Sequence, residues 1–482
     1  METLQRTANR GSVSTGYEID NSCKFNSANS EAITTTNQAS GNQKTWTWSG
    51  WIKRTNDSTS TAEHLFGAGG AYLRFVSGET LNVQQNGSSL TTNQVFRDTA
   101  AWFHLVWILD TTQSTEADRS RIYINGSRIT SFSSASYPSQ NADLDVGGQG
   151  TSSNWLQLGR WYAGGRAFNG YMAEIHYLNG TVAEPSNFGE TDSDSGIWIP
   201  KQYTGGGYGT QGYYYKFDDS SNMGKDSSGE GHDANSVENI TAADQATDTP
   251  TNNFCTFNAI QNYDGKHTYT NGATVFGLNT DSGSGNTALG TIAVTKGKWY
   301  AEFKPTGTTS TSYPHNVFLG AGVMDQVQLL STGFLGGKSN STAQGMGYYN
   351  NSGNVYRNGG NFAWGNTYTA NDIIGVALDY RSDGTAHLYF AKNGTWQNSS
   401  DPANNTSPIT MNYGSAFSAN TFIALGASIF VDDGVTIECN FGGYTPSTIS
   451  SAATDENGYG TFEYAPPSGY YALCSRNLSE YG

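Results

Sequence analysis

Charge is scarce in this chain. Of 482 residues only 14% are Asp, Glu, Lys or Arg, against roughly 25% in average soluble chains. Positive charge is scarcer still: 25 Lys and Arg stand against 41 Asp and Glu, a formal net charge of −16. That excludes the basic footprint of a nucleic-acid binder and opposes approach to anionic membrane surfaces. Cysteine numbers four, at Cys23, Cys255, Cys439 and Cys474, with no CxxC pair. Neither a disulfide framework nor a zinc ribbon is expected. Long apolar runs are missing: stretches such as Phe422–Val431 are too short to span a bilayer. The opening METLQRTANRGSVSTG lacks the apolar core of a signal peptide, so a soluble protein made in a cytoplasm is expected. No apolar i, i+3, i+4, i+7 pattern lasts three turns, which argues against long helices.

Aromatic residues and glycine are abundant, at 13% aromatics and 59 glycines. This composition suits short strands joined by tight turns. Thr45–Trp51 (TWTWSGW) alternates, placing Trp46 and Trp48 on one face of a strand. Trp102–Asp110 (WFHLVWILD) is a denser apolar run, as expected of a strand covered on both faces. Trp46, Trp48, Trp102 and Trp107 are expected in the core. Asn125-Gly126 in RIYINGSRI is a hairpin signal, and so is Asp432-Asp433-Gly434. The expected class is all-β, with two β-sandwich (jelly-roll) modules. The expected boundaries are an N-terminal arm over 1–16, a first module over 17–182, a linker over 183–253, a second module over 254–443 and a tail over 444–482. The linker is assigned from its run of Asp, Ser, Gly and Asn, which reads as turns rather than packed core. NNFCTFNAI (252–260) and YALCSRNLS (471–479) echo one another: an aromatic or apolar lead, Cys, a hydroxyl residue, a spacer and Asn. They read as chance in an Asn-rich chain or as a linker strand reused at module junctions.

Residues 17–182 resemble a LamG, concanavalin-like jelly roll. The matching pieces are TWTWSGWIKR (45–54), AWFHLVWILD (101–110), RIYINGSRI (121–129) and LQLGRWYAGGRAFNGYMAEIHYLN (156–179). Residues 254–443 resemble a SPRY domain through KGKWYAEF (296–303), NDIIGVALDY (371–380) and LYFAKNGTW (388–396). DTPTNNFCTFNA (248–259) and TFEYAPPSGYYALCSRNLSEYG (461–482) are similar to segments that recur in marine bacteriophage proteins. The resemblance implies a virion protein, a tail fibre or other receptor-binding appendage, made in the host cytoplasm. It implies attachment to other virion proteins through the N-terminal arm, contact with host-surface glycan or protein, and a homotrimer. A capsid decoration protein and a glycan-degrading enzyme are the alternatives.

Catalysis is not expected. Glycoside hydrolysis needs two carboxylates flanking the bond, and Glu18-Ile19-Asp20 is followed by no second Glu. Glu174 stands alone on its strand, with a structural or solvated role expected. No GxSxG, HExxH or P-loop occurs. His64, His104, His176, His232, His267, His315 and His387 show no metal-ligand spacing and read as surface or hydrogen-bonded strand histidines. DDSSNMGKDSSGEGHD (218–233) holds five acidic side chains, which leaves calcium open as a ligand. Glycan recognition calls for exposed aromatics beside hydrogen bonders. The candidates are Trp161, Tyr162 and Arg166 in RWYAGGR, and Tyr348, Tyr349, Tyr356, Arg357 and Trp364 in the Gly/Asn-rich stretch 345–365. Packing on sandwich edges is the competing role for these eight.

Overall fold

The computed structural model describes residues 16–36, 41–56, 62–68, 70–144, 155–161, 165–262, 265–280, 285–307, 316–324, 333–337, 344–412, 415–430 and 434–482. The arm expected over 1–16 lies outside them except for Gly16. The chain divides into two compact units between Thr251 and Asn252, and each is an all-β sandwich of two antiparallel sheets.

In the first unit one sheet runs, in spatial order, through Ser127–Arg128, Ser120–Ile124, Phe103–Asp110, Thr45–Arg54, Gly170–Asn179, Ser22–Phe25 and Gln245–Ala246. We call it the covered sheet. Alternation along Thr45–Arg54 sends Trp46, Trp48 and Ile52 into the core and Trp51 to the outer face. Gly50 falls on the inward row, where a Cβ would come within 2.8 Å of the Trp48 ring and 2.6 Å of Ile175. Trp46 meets Trp107 edge-on at 4.6 Å. Leu105, Trp107 and Leu109 are buried with them, and full burial of one such aliphatic side chain contributes about 1.5–3 kcal/mol. Trp102 departs from expectation. It is half-buried on the outer face, its Nε1 donating to Asp248 Oδ1 at 2.9 Å.

The second sheet of this unit runs through Phe132–Ser136, Ser88–Val95, Thr80–Gln85, Ala71–Val76, Glu63–Ala68, Trp155–Leu158, Ala32–Thr36 and Ser236–Glu238. We call it the open sheet.

The expected linker is not a linker. Tyr213–Tyr215 pairs with Gly170–Asn179, Ser236–Glu238 with Ala32–Thr36, and Gln245–Ala246 with Ser22–Phe25. Tyr213, Tyr215, Phe217, Met223 and Ile240 enter the core, while Phe188 and Tyr208 pack on Val106 and Ile108 from outside. This segment is the second cover that the dense run at 102–110 requires. Its tyrosines are spaced among polar turn residues, so composition hides the packing.

The second unit repeats the plan. Its covered sheet runs through His267–Thr270, Val275–Leu278, Val435–Asn440, Gly297–Gly307, Ile374–Tyr380, Ala386–Lys392 and Thr395–Trp396. Its open sheet runs through Gly285–Leu289, Ile423–Phe430, Val317–Val323, Gly345–Tyr349, Asn354–Arg357 and Gly360–Ala363. Trp299, Ala301 and Phe303 point into the core, and Tyr300 and Glu302 point outward. The expected tail covers that outer face with buried Phe462, Tyr470, Ala472 and Cys474, then ends in the short helix Ser475–Tyr481. The two echoing segments are partners in one ladder. Phe254 bridges Cys474, Cys255 N donates to Leu473 O at 2.9 Å, and Ser475 N donates to Asn253 O at 2.8 Å. They close the second sandwich on itself.

Two turn expectations fare differently. Asn125-Gly126 makes its hairpin with both residues at positive φ, 47° and 77°. The strands flanking Asp432-Asp433-Gly434 lie in different sheets, so the chain crosses between layers there instead of folding back. Asp432 and Asp433 themselves lie outside the described residues. The four cysteines are buried and unbridged.

Candidate functional site

The outer face of the first open sheet is polar by register. Ala71–Val76 (AYLRFV) sends Leu73 and Phe75 inward and turns Tyr72 and Arg74 outward. Thr80–Gln85 turns Asn82 and Gln84 outward beside them. Two cross-strand rows result. Arg74 lies between His64 and Asn82, and Asn82 pairs onward to Thr91. Tyr72 pairs with Gln84, and Gln84 with Ser89. Hydrogen bonds hold the rows. Arg74 Nε donates to Asn82 Oδ1 at 3.0 Å, Asn82 Nδ2 donates to Ser89 Oγ at 2.9 Å and Thr91 Oγ1 at 3.0 Å, and Tyr72 OH donates to Gln84 Oε1. The Arg74 guanidinium lies 4.4 Å from the Tyr72 ring centre.

Two sequence candidates join this face. The Arg166 guanidinium lies 4.6 Å from the Trp161 ring, and Trp161 is 6.1 Å from His64. Arg166 adopts φ 51°, and its carbonyl accepts from His64 N at 3.0 Å. Tyr162 lies outside the described residues.

His64 was expected to be on the surface or hydrogen-bonded, and it is neither. Its side chain is fully buried and neither ring nitrogen has a hydrogen-bond partner among the described residues. Burial, then Arg74 and Arg166, push its pKa down to about 3, so the ring is neutral. The other described histidines are bonded: His104 to Ser49, His176 to Tyr208, His232 to Gly212 O, His267 to Gln261 O and His387 to Asn405.

The second-unit candidates divide. Tyr348 is buried at 0% exposure between Tyr368 and Phe390, with its hydroxyl donating to Asn366 O, so it is core and not recognition surface. The Gly/Asn-rich stretch 345–365 is not a single loop: it holds three short strands, and Asn358-Gly359 makes the hairpin turn with φ 52° and 74°. Tyr349 and Tyr356 do come together on the outer face of the open sheet. Tyr349 stacks on Phe318 at 4.7 Å and meets Tyr356 edge-on at 5.5 Å. Phe334 stacks on Phe318 at 4.3 Å and closes the cluster. Residues 333–337 thus lie across this face, with Thr287 Oγ1 donating to Gly333 O and Leu335 N to Ser428 Oγ. Arg357 donates to Thr410 O at 2.7 Å and sits 5.3 Å from the Phe362 ring, which in turn meets Trp364 edge-on.

The carboxylates are engaged elsewhere. Glu174, at a bulge with φ 51°, accepts from Tyr17 OH at 3.0 Å and Tyr214 OH at 2.6 Å. Ile19 packs on the outer face of the covered sheet, which removes Glu18-Ile19-Asp20 from the open face. In 218–233, Asp226 accepts from the backbone of Tyr214, Ser228 and His232, and Asp233 from Asp226 N. Among the described residues no three His, Cys, Asp or Glu side chains are grouped to hold a metal ion.

Residues 27–186 match the family model of the concanavalin A-like lectin/glucanase superfamily, laminin-G type. They form a LamG-like domain. Its sheets extend past the match, since residues 189–251 supply further strands. No curated protein matches the chain. Among solved structures, a human SPRY domain is 15% identical, with 34% of this chain and 90% of that one covered, at a TM-score of 0.25. Domains LG4-5 of the mouse laminin alpha1 chain are 10% identical, covering 95% and 97%, at a TM-score of 0.27. A SAP-like pentraxin from Limulus polyphemus is 13% identical, covering 34% and 78%, at a TM-score of 0.25.

The open-face residues other than Trp161 and Arg166 escaped sequence reasoning. Their signal was available: YLR and LNVQ alternate polar and apolar, which marks one solvated face.

Proposed function

We propose that this protein is a glycan-binding protein of a phage particle, a tail fibre or similar appendage, with the open sheet of its LamG-like domain as the sugar surface. The observation that carries the glycan part is the composition of that face. Amides, hydroxyls and guanidiniums stand in two cross-strand rows beside the rings of Tyr72 and Trp161. Flat apolar faces flanked by hydrogen bonders match the C–H and O–H surfaces of a sugar. Binding without hydrolysis is favoured because Glu238, the acidic side chain on this sheet's edge strand, is held by Arg160 and Thr34. No facing pair of carboxylates stands on this face among the described residues. The virion part rests on the resemblance of 248–259 and 461–482 to segments of marine phage proteins.

Three experiments test it. Full-length protein is expected to bind polysaccharide from host cells, and Gln84→Ala is expected to weaken that binding about tenfold. Equal binding by the variant would remove the open face from the account. Mass spectrometry of purified virions should find the protein, and light scattering should give a trimer; absence from virions would end the phage assignment.

A further inference from the structure

The first open face concentrates positive charge in a chain that has little. Five described arginines elsewhere are matched to carboxylates, Arg54 to Glu63, Arg121 to Glu184, Arg128 to Asp118, Arg160 to Glu238 and Arg381 to Asp379, while Arg119 and Arg357 donate to backbone carbonyls. Arg74 and Arg166 have no carboxylate at ion-pair distance among the described residues, and both act on the same buried ring, His64. Arg74 is a direct cross-strand partner of His64, and Arg166 adjoins it through the backbone bond from His64 N. Both nitrogens of that imidazole are unbonded among the described residues. A buried polar group without a partner costs about 1–3 kcal/mol. Two like charges brought together add to that cost, and burial followed by Arg166 lowers the pKa of Arg74. An anion seated over this ring accepts from both guanidiniums and offsets their mutual repulsion.

We propose that His64, Arg74 and Arg166 form an anion subsite that takes a sulfate ester or carboxylate borne on a saccharide, beside Trp161 and Tyr72. This rests on the glycan reading above and narrows it to acidic glycans. Long-range attraction does not account for such binding, because the chain's net charge of −16 repels polyanions. Recognition must be local.

The test uses full-length protein and four probes: dextran, dextran sulfate, polygalacturonate and inorganic sulfate. Titration calorimetry should show one acidic polymer bound at least tenfold more tightly than dextran, with the better of the two naming the group. Arg74→Gln and Arg166→Gln should each reduce that preference several-fold, and the double variant should abolish it. Arg121→Gln, which removes a charge from the covered sheet, should retain it. Thermal melts of each variant guard against simple unfolding. Equal binding of dextran and both acidic polymers overturns the anion subsite and leaves the glycan reading standing. Arginine-dependent binding of inorganic sulfate with no polymer bound supports the subsite and removes the glycan. An acidic preference that survives in the double variant overturns the assignment to these residues.

Discussion

The two units share a plan and diverge on one face. Each opens with Cys-x-Phe-Asn: Cys23 and Phe25 in the first, Cys255 and Phe257 in the second, all four buried. The Asn that follows makes the same turn in both, Asn26 Oδ1 accepting from Ala28 N at 3.1 Å and Asn258 Oδ1 from Ile260 N at 3.2 Å. Each unit pairs that first strand with its own C-terminal segment and uses the segment to cover one sheet. The open sheets differ. The first presents cations, amides and hydroxyls with an unbonded imidazole. The second presents aromatics and is crossed by residues 333–337, with Gly347 making room beneath Leu335. A shared core specifies the sandwich; the outward half of each strand's alternation is free to differ, and there function separates from stability.

The covers should matter most. In the first unit the cover brings Asp248 onto Lys53 at 2.6 Å, both buried. Asp248→Ala removes a carboxylate from that buried ammonium and should cost about 3–5 kcal/mol by urea denaturation. A loss under 1 kcal/mol would mean the segment 183–251 is not part of the fold. In the second unit Phe462 meets Tyr300 edge-on at 5.2 Å and is fully buried. Phe462→Ala should cost about 3–4 kcal/mol, and a near-neutral result would break the parallel between the covers.

Glu302 anchors the second cover by accepting from Glu463 N at 2.9 Å and Tyr464 N at 2.8 Å. Burial pushes its carboxyl up to about 7, against the lowering effect of those donors. The folded state therefore holds a proton that the unfolded state releases near 4.5. Stability from this group is full below pH 4.5 and falls as pH rises through 7, by about 3 kcal/mol. Glu302→Gln should flatten that slope; an unchanged profile would show that the carboxyl is ionised in the fold.

Smaller effects belong to the open faces. Gly347→Val places side-chain atoms where Leu335 lies, since a Cβ alone comes within 2.8 Å of Leu335 O. It should cost about 1–3 kcal/mol. Arg166 is exposed, with its guanidinium over the Trp161 ring and no carboxylate at ion-pair distance among the described residues, so Arg166→Gln should shift stability by no more than about 0.5 kcal/mol. A larger loss would make Arg166 a structural residue.

The sandwich class was legible because alternation and Asn-Gly turns are local signals, as TWTWSGW and RIYINGSRI show. The covers were not. Tyr213, Tyr215 and Phe462 stand among Gly, Ser, Asp and Pro, and only long-range pairing reveals their burial. The echo at 252–260 and 471–479 was visible, but its meaning was a ladder between its two copies. Of the site, Trp161 and Arg166 were legible as loop aromatics and cations. His64 was not: an imidazole on a strand reads the same whether bonded or orphaned. Tyr348 misled because Gly and Asn around it signal loop, while the register of Gly345–Tyr349 turns it inward.

Hydrogen exchange of the full-length protein with and without acidic polysaccharide tests the central claim most directly. Protection should rise in Ala71–Val76, Thr80–Gln85 and Ser88–Val95, and stay unchanged in Val317–Val323 and Gly345–Tyr349. Protection confined to the second unit, or to the covered sheet of the first, would contradict it.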